Sequence, residues 1–427
     1  MKKPLTRFFI IFSVIFLITG IWLIGKSWIL DGEKNVIKVG ILHSLSGTMA
    51  FSEKPLIDIY LFAIEEINSK GGLLGKKIVP IISDGRSNWS HFAKEAERLI
   101  VEEKVSVIFG CWTSACRKTI KPIIEKHNHL LFYPIQYEGL EQSPNIIYTG
   151  ATPNQQIIPA VKWAFENLGK KFFLVGSDYI FPRTANFIIK DQLKILGGEV
   201  LGEEYVSLGS TQFEKTIEKI RQTKPDVILN TINGDSNIAF FQKLRKSGII
   251  SEETPTISFS IAENEIQKIG VHNVVNDYAS WNYFQNIKTE NNQNFVKKIK
   301  SKSKGISVLN DPMESVYISF KFWVHAVEKA GTPNTLEVMN KLKGISLMAP
   351  EGYVYLDPRN KHTWKTSRIG KIQSDGNFKI IWSSSDPVRP LPFLRYRSKL
   401  EWEQFLSGLY RQWDNNWENP RSQASNF

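Results

Sequence analysis

Residues 77–110 read KIVPIISDGRSNWSHFAKEAERLIVEEKVSVIFG, and this stretch contains a strand, a helix and a second strand in succession. The two ends, 77–83 and 105–109, are short runs rich in Ile and Val, which is typical of buried strands. Residues 91–103 between them have the length and the mixed polarity of a surface helix. This order of elements predicts a βαβ unit in a parallel sheet.

The same alternation continues on both sides of this unit. Residues 36–42 and 130–133 have the pattern of strands, and residues 56–70 and 113–126 that of helices. A second set follows, with strands at 172–176, 199–206, 227–230 and 256–259 and helices at 183–196, through 220, and at 238–247. Two successive sets predict an α/β fold with two doubly wound, Rossmann-like lobes.

A third block of elements completes the two predicted lobes. A strong amphipathic helix covers 315–330, and strand-like segments lie within 351–382. A chain that crosses more than once between lobes would use them in both, with crossings expected near 150–153, 281–284 and 344–349. The predicted organisation is 36–152 for the first lobe, 153–282 for the second, 283–345 for a return to the first, and 346–383 for a return to the second.

The first 30 residues predict a signal or anchor helix. A basic region, MKKPLTR, precedes the apolar run FFIIFSVIFLITGIWLI at 8–24, so the rest of the chain is expected outside the cytoplasm. The flank at 25–28, GKSW, is a poor cleavage site. An uncleaved transmembrane helix that tethers a periplasmic protein is therefore favoured over a cleaved signal peptide.

Composition and motifs exclude several classes of function. The net charge is +12, but Lys and Arg are spread along the chain without a dense run, so nucleic-acid binding is not expected. Cys111 and Cys116 have no His in zinc-ligand spacing, and two ordinary thiols are favoured over a local disulfide. No nucleotide fingerprint or catalytic motif is present, so the sequence predicts neither a cofactor nor an enzyme.

Ligands of open α/β sheets bind beyond the carboxyl ends of the strands. The segments just past the predicted strands are rich in Trp, Tyr, Ser, Asn and Gln and poor in Lys and Arg. Such a lining suits a small, polar, uncharged ligand. The candidate ligand-binding residues are Ser44, Trp112, Ser114, Tyr133, Gln136, Tyr179, Phe181, Asp235 and Tyr283.

Several long motifs carry a resemblance to a known family. They are GILHSLSGTMAFSE (40–53), INSKGGLLGKKI (67–78), FGCWTSACRK (109–118), LFYPIQYEGLEQSPNIIYTG (131–150), ATPNQQ (151–156), GSDYIFPR (176–183), NTINGDSN (230–237), WNYF (281–284) and HTWKTSRIGKI (362–372). In this order they resemble the urea-binding proteins of ABC importers and, less closely, the amide-sensing regulators of amidase operons. The resemblance spans about 36–382, and it implies a type I periplasmic binding protein whose lobes close about a hinge.

The resemblance also implies roles for individual residues. Ser114 would donate from its hydroxyl and backbone amide to a ligand carbonyl, and Asp235 would accept from ligand NH2 groups. Tyr133 and Tyr179 would stack on the flat amide, with Trp112 beside them. A second Tyr of the amide regulators is replaced here by Phe181, so one hydroxyl is missing.

The function that this resemblance implies is a receptor that closes on urea or a short-chain amide. It would deliver the solute to ABC permease subunits in the membrane. A membrane-tethered sensor subunit and a branched-chain amino acid binder, which shares the fold, are the alternatives.

The tail, 384–427, is predicted to hold an amphipathic helix. Ser398 and Glu401 form a capping-box pattern. Apolar residues then recur at helical spacing, namely Trp402, Phe405, Leu406, Leu409, Tyr410, Trp413 and Trp417. We expect this face to pack on a lobe; docking on a partner or on the membrane surface is the alternative.

Overall fold

The computed structural model describes residues 36–302 and 305–423. The first lobe is built on a parallel sheet with the strand order β2-β1-β3-β4-β5. Its strands are β1 (Val36–His43), β2 (Lys77–Asp84), β3 (Ile108–Gly110), β4 (Leu131–Tyr133) and β5 (Ile146–Tyr148). Helices α1 (Ala50–Asn68), α2 (Trp89–Val101) and α3 (Ser114–Lys126) connect them.

The second lobe repeats this plan after the chain leaves β5. Its parallel strands are β6 (Lys171–Ser177), β7 (Glu199–Val206), β8 (Val227–Thr231), β9 (Thr256–Ser258) and β10 (Tyr278–Trp281). Its helices are α4 (Ile157–Asn167), α5 (Ile180–Leu196), α6 (Glu214–Thr223), α7 (Ser236–Lys246) and α8 (Glu263–Ile269). β8 is buried along its whole length because helices cover both faces of the sheet.

The chain then returns to the first lobe. The returning elements are α9 (Glu290–Lys302), α10 (Asp311–Ala330), α11 (Thr335–Lys341) and a three-stranded antiparallel sheet of β11 (Ser346–Ala349), β12 (Gly352–Leu356) and β13 (Thr363–Trp364). Phe320 and Trp323 of α10 lie 5.9 and 6.0 Å, ring to ring, from Phe109 of β3. These aromatic contacts fix α10 under the first sheet.

Two last strands complete the second lobe. β14 (Arg368–Ile372) and β15 (Phe378–Ser383) are antiparallel and extend the sheet to the order β15-β14-β10-β9-β8-β6-β7. The third crossing between the lobes therefore lies at 365–367. The sequence predicts it at 344–349, and that prediction is wrong. The reason is that 346–364 pairs with itself, and Ala349, Val354 and Leu356 belong to the first lobe's core.

The two-lobed α/β fold agrees with the prediction from the sequence. The predicted N-terminal helix lies outside the described residues. Within 36–302 and 305–423, no helix is both long enough and apolar enough to span a bilayer. Cys111 and Cys116 form a disulfide, so the expectation of two ordinary thiols was wrong. Their Cα atoms lie 5.7 Å apart because both belong to one strand-to-helix turn.

The tail packs on the second lobe. Helix α12 (Lys399–Gln412) begins at a capping box formed by Ser398 and Glu401, and a short helix α13 (Pro420–Gln423) follows it. Trp402 of α12 is buried, and Phe405 stacks on Phe187 of α5 with ring centroids 4.3 Å apart. The apolar face of α12 thus contacts α5 of the second lobe. This agrees with the expectation that the tail helix packs on a lobe.

Candidate ligand cleft

The cleft lies between the carboxyl ends of the strands of the two lobes, which are in contact across it. Trp112 Nε1 donates to Asn233 Oδ1 at 3.2 Å, and Gln136 Nε2 donates to the carbonyl of Phe259 at 2.9 Å. Both hydrogen bonds join a residue that follows a first-lobe strand to one that follows a second-lobe strand. The structure is therefore a closed arrangement of the lobes.

The turn between β3 and α3 positions Trp112. A Cβ on Gly110 would lie 2.1 Å from the carbonyl oxygen of Leu42, so only glycine allows β3 to end this close to β1. Thr113 caps α3 by accepting from the amide of Cys116 at 3.1 Å. The backbone amides of Ser114 and Ala115 lie in the first turn of α3, where a helix offers no carbonyl acceptor of its own. They stand at the positive end of the α3 dipole.

The hydroxyl of Ser114 is engaged within the first lobe. It donates to Glu138 Oε2 and accepts from Arg117 Nη1 at 3.2 Å. Its hydrogen is therefore directed at a carboxylate. Donation of this hydroxyl to a ligand carbonyl, which the resemblance implies, does not fit this arrangement, whereas donation by the Ser114 amide does.

A buried ionic cluster lies beneath Ser114. Arg117 Nε is 2.8 Å from Glu141 Oε1 and Arg117 Nη2 is 3.2 Å from Glu138 Oε1, while Lys118 Nζ is 3.0 Å from Glu141 Oε2. Burial opposes the ionisation of Arg117 and of Glu141. The carboxylates nevertheless hold the pKa of Arg117 well above its usual range, and Arg117 and Lys118 lower that of Glu141. Two cations and two carboxylates thus neutralise one another.

Three tyrosines and a histidine surround this cluster. The guanidinium of Arg117 lies 4.5 Å from the ring centroid of Tyr133 and 4.4 Å from that of Tyr137. His362 stacks on Tyr148 at 4.1 Å and contacts the Tyr137 hydroxyl. Burial raises the pKa of the tyrosines and lowers that of His362 to about 3, so all four side chains are neutral near pH 7.

The second lobe contributes neutral groups. Tyr179 precedes α5, and its ring centroid lies 6.3 Å from that of Phe181 in the first turn. The amide nitrogen of Asn233 donates to Ser177 Oγ at 3.0 Å, and its side-chain nitrogen to the carbonyl of Thr231 at 3.2 Å. These bonds orient Asn233 Oδ1 toward the first lobe. Burial, and then the nearby Tyr133, raises the pKa of Tyr179 well above its usual value.

Two of the candidate residues, Ser44 and Asp235, are engaged in contacts within the protein. The amide of Ser44 donates to Glu53 Oε2 at 3.0 Å, and the Ser44 hydroxyl accepts from the amide of Ser87 at 3.0 Å. Asp235 is exposed and accepts from the Thr48 hydroxyl of the other lobe. Ser44 therefore stabilises a loop, and Asp235 joins the lobes at their rim.

A third candidate, Tyr283, lies in the second crossing. It is fully buried, and its hydroxyl donates to Asn292 Oδ1 at 2.8 Å. Its amide donates to Asp311 Oδ2 at 2.8 Å. The structure brings Trp112, Ser114 and Tyr133 together on one side, with the remaining cleft candidates, Gln136, Tyr179 and Phe181, at or across the contact between lobes.

The segments at the strand ends did not predict Arg117, Glu138, Glu141 and His362 as part of the site. A signal was available, since these charged or titratable residues stand within the motifs FGCWTSACRK, YEGLE and HTWKT beside apolar strands. Their pairing was hidden because it joins parts of the chain that only the fold brings together.

Residues 37–399 match the family model for the periplasmic binding protein domain. The chain belongs to the periplasmic binding protein family. Members of this family bind solutes and are not enzymes. A relative from Brucella suis, "Leu/Ile/Val-binding protein homolog 6", is 21% identical over 360 residues, which cover 81% of this chain and 90% of the relative. "Leu/Ile/Val-binding protein BraC3" of Rhizobium johnstonii is 22% identical over 199 residues, or 45% of this chain and 53% of that protein.

Solved structures show the same fold. A solute-binding protein of an ABC transporter from R. palustris, in complex with 4-hydroxybenzoate, superposes with a TM-score of 0.75 at 20% identity. The alignment covers 83% of this periplasmic binding protein and 98% of the other chain. A leucine-binding protein from Thermotoga maritima gives a TM-score of 0.73 at 19% identity, covering 81% of this chain and 98% of that one.

Proposed function

We propose that this periplasmic binding protein is the extracytoplasmic receptor of an ABC importer for urea or a short-chain amide. The lobes would close on the solute and present it to permease subunits in the membrane. Family membership supports the receptor role, and the motifs shared with urea-binding proteins support the choice of solute. Within the cleft we assign contact with the solute to Trp112, Ser114, Tyr133, Tyr179 and Phe181.

The charge balance of the first lobe is the observation that carries this proposal. Arg117 and Lys118 pair with Glu138 and Glu141, so the floor of the cleft has no net charge. A charged group that is removed from water needs a compensating charge. A neutral solute needs only hydrogen bonds and aromatic walls, which this cleft supplies.

The geometry also suits a planar amide. Its carbonyl oxygen would accept from the amides of Ser114 and Ala115 at the start of α3, where the helix dipole favours partial negative charge. Its flat face would lie against Tyr133 or Tyr179, and its NH2 groups would be left for carbonyl and side-chain acceptors at the closing edge. Phe181 would exclude water without supplying a hydroxyl.

A branched-chain amino acid is the second candidate, because the relatives include proteins named as Leu/Ile/Val-binding. An amino acid has an ammonium and a carboxylate, and each would need a counter-charge in the closed cleft. The four charged residues of the floor are already paired with one another. The charge balance therefore favours the amide.

Calorimetric titration of the purified protein with urea, acetamide and leucine tests the proposal. We expect saturable binding of urea or acetamide and none of leucine. Tyr179→Ala should weaken that binding about tenfold or more, whereas Tyr353→Ala, at an exposed tyrosine of β12, should leave it unchanged. Saturation by leucine without saturation by either amide would overturn the choice of solute.

A further inference from the structure

Three residues of the tail lie along one edge of the cleft, and we call Trp417, Glu418 and Asn419 the C-terminal strap. The amide of Ile180 donates to the carbonyl of Trp417 at 2.9 Å, and the amide of Asn419 to that of Asp178 at 3.0 Å. These bonds flank an antiparallel bridge between Glu418 and Tyr179. The backbone of the strap thus extends the segment of the second lobe that holds Tyr179.

The side chains of the strap reach the first lobe. Glu418 Oε2 accepts from Trp89 Nε1 at 2.6 Å, and Trp89 is the first residue of α2. Lys118 Nζ of α3 lies 5.0 Å from the ring centroid of Trp417. Glu418, which lies between the two lobes, is only 8% exposed. A short segment therefore contacts both sides of the cleft beside a residue to which we assign solute contact.

The strap is fixed to the second lobe by the helix that precedes it. Trp402 and Trp413 are buried in that lobe's core, and Arg397 makes a bidentate ion pair with Asp191 of α5 at 2.6 and 2.7 Å. Since the strap moves with the second lobe, separation of α2 from α5 must break the bond between Glu418 and Trp89. The family model ends at residue 399, so this segment lies beyond the part of the chain that the family model matches.

We propose that the C-terminal strap is an interlobe latch that favours the closed form and slows release of the solute. The latch rests on the proposed hinge closure but not on the identity of the solute. A hydrogen bond from an indole to a buried carboxylate is charge-assisted and among the stronger ones in proteins. Loss of this bond should raise the ratio of open to closed forms about tenfold.

The distance between the lobes, measured without solute, tests the latch. Spin labels would be placed at Lys94→Cys on α2 and Lys194→Cys on α5, both exposed positions. Labelling is specific because the protein's two cysteines are joined in the disulfide. Pulsed electron resonance should show mainly the short distance, and Glu418→Ala or Trp89→Phe should raise the ratio of the long-distance to the short-distance population about tenfold.

Two controls make the result specific. Glu403→Ala removes an exposed carboxylate of α12 that pairs with Lys399 of the same helix, and it should not change the distances. Glu418→Ala combined with Trp89→Phe should open the cleft no further than either change alone. Additive effects, unchanged distances in both single variants, or a parent protein that is mainly open would each overturn the latch. Because no solute is added, failure to bind urea leaves the test intact.

Discussion

The two halves of the cleft are built from different chemistry. The first lobe's half rests on a buried network of charges around Arg117, which is 0% exposed. The second lobe's half rests mainly on uncharged side chains, in which Asn230 Nδ2 donates to Asn237 Oδ1 at 3.0 Å and Asn233 donates to the carbonyl of Thr231. An ion pair at one of its strand ends, between Asp178 and Arg183, is partly exposed on the arginine side. Both halves nevertheless lie in the same place, at the carboxyl ends of parallel strands.

The difference bears on how the lobes can separate. The charges of the first lobe are neutralised within that lobe, so opening leaves no ion unpaired. Two of the bonds that cross between the lobes, from Trp112 to Asn233 and from Gln136 to the carbonyl of Phe259, join neutral groups that water can replace at small net cost. The bond from Trp89 to Glu418 differs, because its acceptor is a carboxylate. A half that is complete by itself can hold its shape while the other half moves.

Removal of the central cation should have the largest effect. Arg117→Met would leave Glu138 and Glu141 buried with Lys118 as their remaining cation, which should lower the free energy of unfolding by about 3–5 kcal/mol. Denaturant unfolding measures this change. Arg221→Met in the second lobe is the control: Arg221 and its partner Glu218 are both more than half exposed, and we expect a loss of about 1 kcal/mol or less. Equal losses would remove the distinction between the halves.

The pH dependence of stability should have separate origins in the two lobes. Burial, and then the carboxylates of Asp311 and Glu265, raises the pKa of Glu263 in α8 to about 8. The folded protein then retains a proton that the unfolded chain releases near pH 4.5. Stability from this group is complete below 4.5 and is lost as pH rises toward 8. Glu263→Gln should flatten this alkaline decline in melting temperature, and an unchanged slope would contradict the assignment.

The loss of stability at acidic pH should depend on His362, which lies beside the charged cluster of the first lobe. Its pKa is lowered to about 3, so the folded protein resists a proton that the unfolded chain binds near pH 6.5. Stability from this group is present above 6.5 and is lost as pH falls toward 3. Melting temperatures of His362→Gln between pH 7 and 4 should decline less than those of the parent, and a parallel decline would exclude His362 as the cause.

Asn233→Ala should weaken the closing contact without harming either lobe. It removes the acceptor of Trp112 Nε1 and should weaken solute binding about tenfold, because closure loses one buried hydrogen bond. Titration with urea or acetamide measures the effect. The same change should barely alter the unfolding of the first lobe, since Asn233 contributes nothing to its charge network.

Asp235→Ala should have the smallest effect. Asp235 is exposed and its partner is Thr48 at the rim, so its loss should change solute affinity by about threefold or less. A loss of tenfold or more would show that Asp235 contacts the solute, as the resemblance to urea-binding proteins implies. Thr48→Val serves as its control, because it removes the same rim contact from the other lobe.

Local patterns identified most of the scaffold. β1, β2, β6, β7 and β8 were recognisable because apolar, β-branched runs alternate with helices of amphipathic spacing. The elements that the patterns did not identify include α4, α9 and β11, which are short or are governed by the surfaces that they contact. The third crossing was misplaced because β11 and β12 form a local hairpin whose lobe is decided by packing. Ala349, Val354 and Leu356 of this hairpin belong to the first lobe's core.

The sequence by itself determined the α/β class, the two lobes and the strand-end segments that contain Trp112, Ser114, Tyr133 and Tyr179, because strand and helix periodicity is local. Only the tertiary structure decided which of those residues meet. It paired Arg117 with Glu138 and Glu141, more than 20 residues away, and it carried Glu418 across the cleft to Trp89. Such pairings depend on packing and burial between distant segments, and no local pattern encodes them.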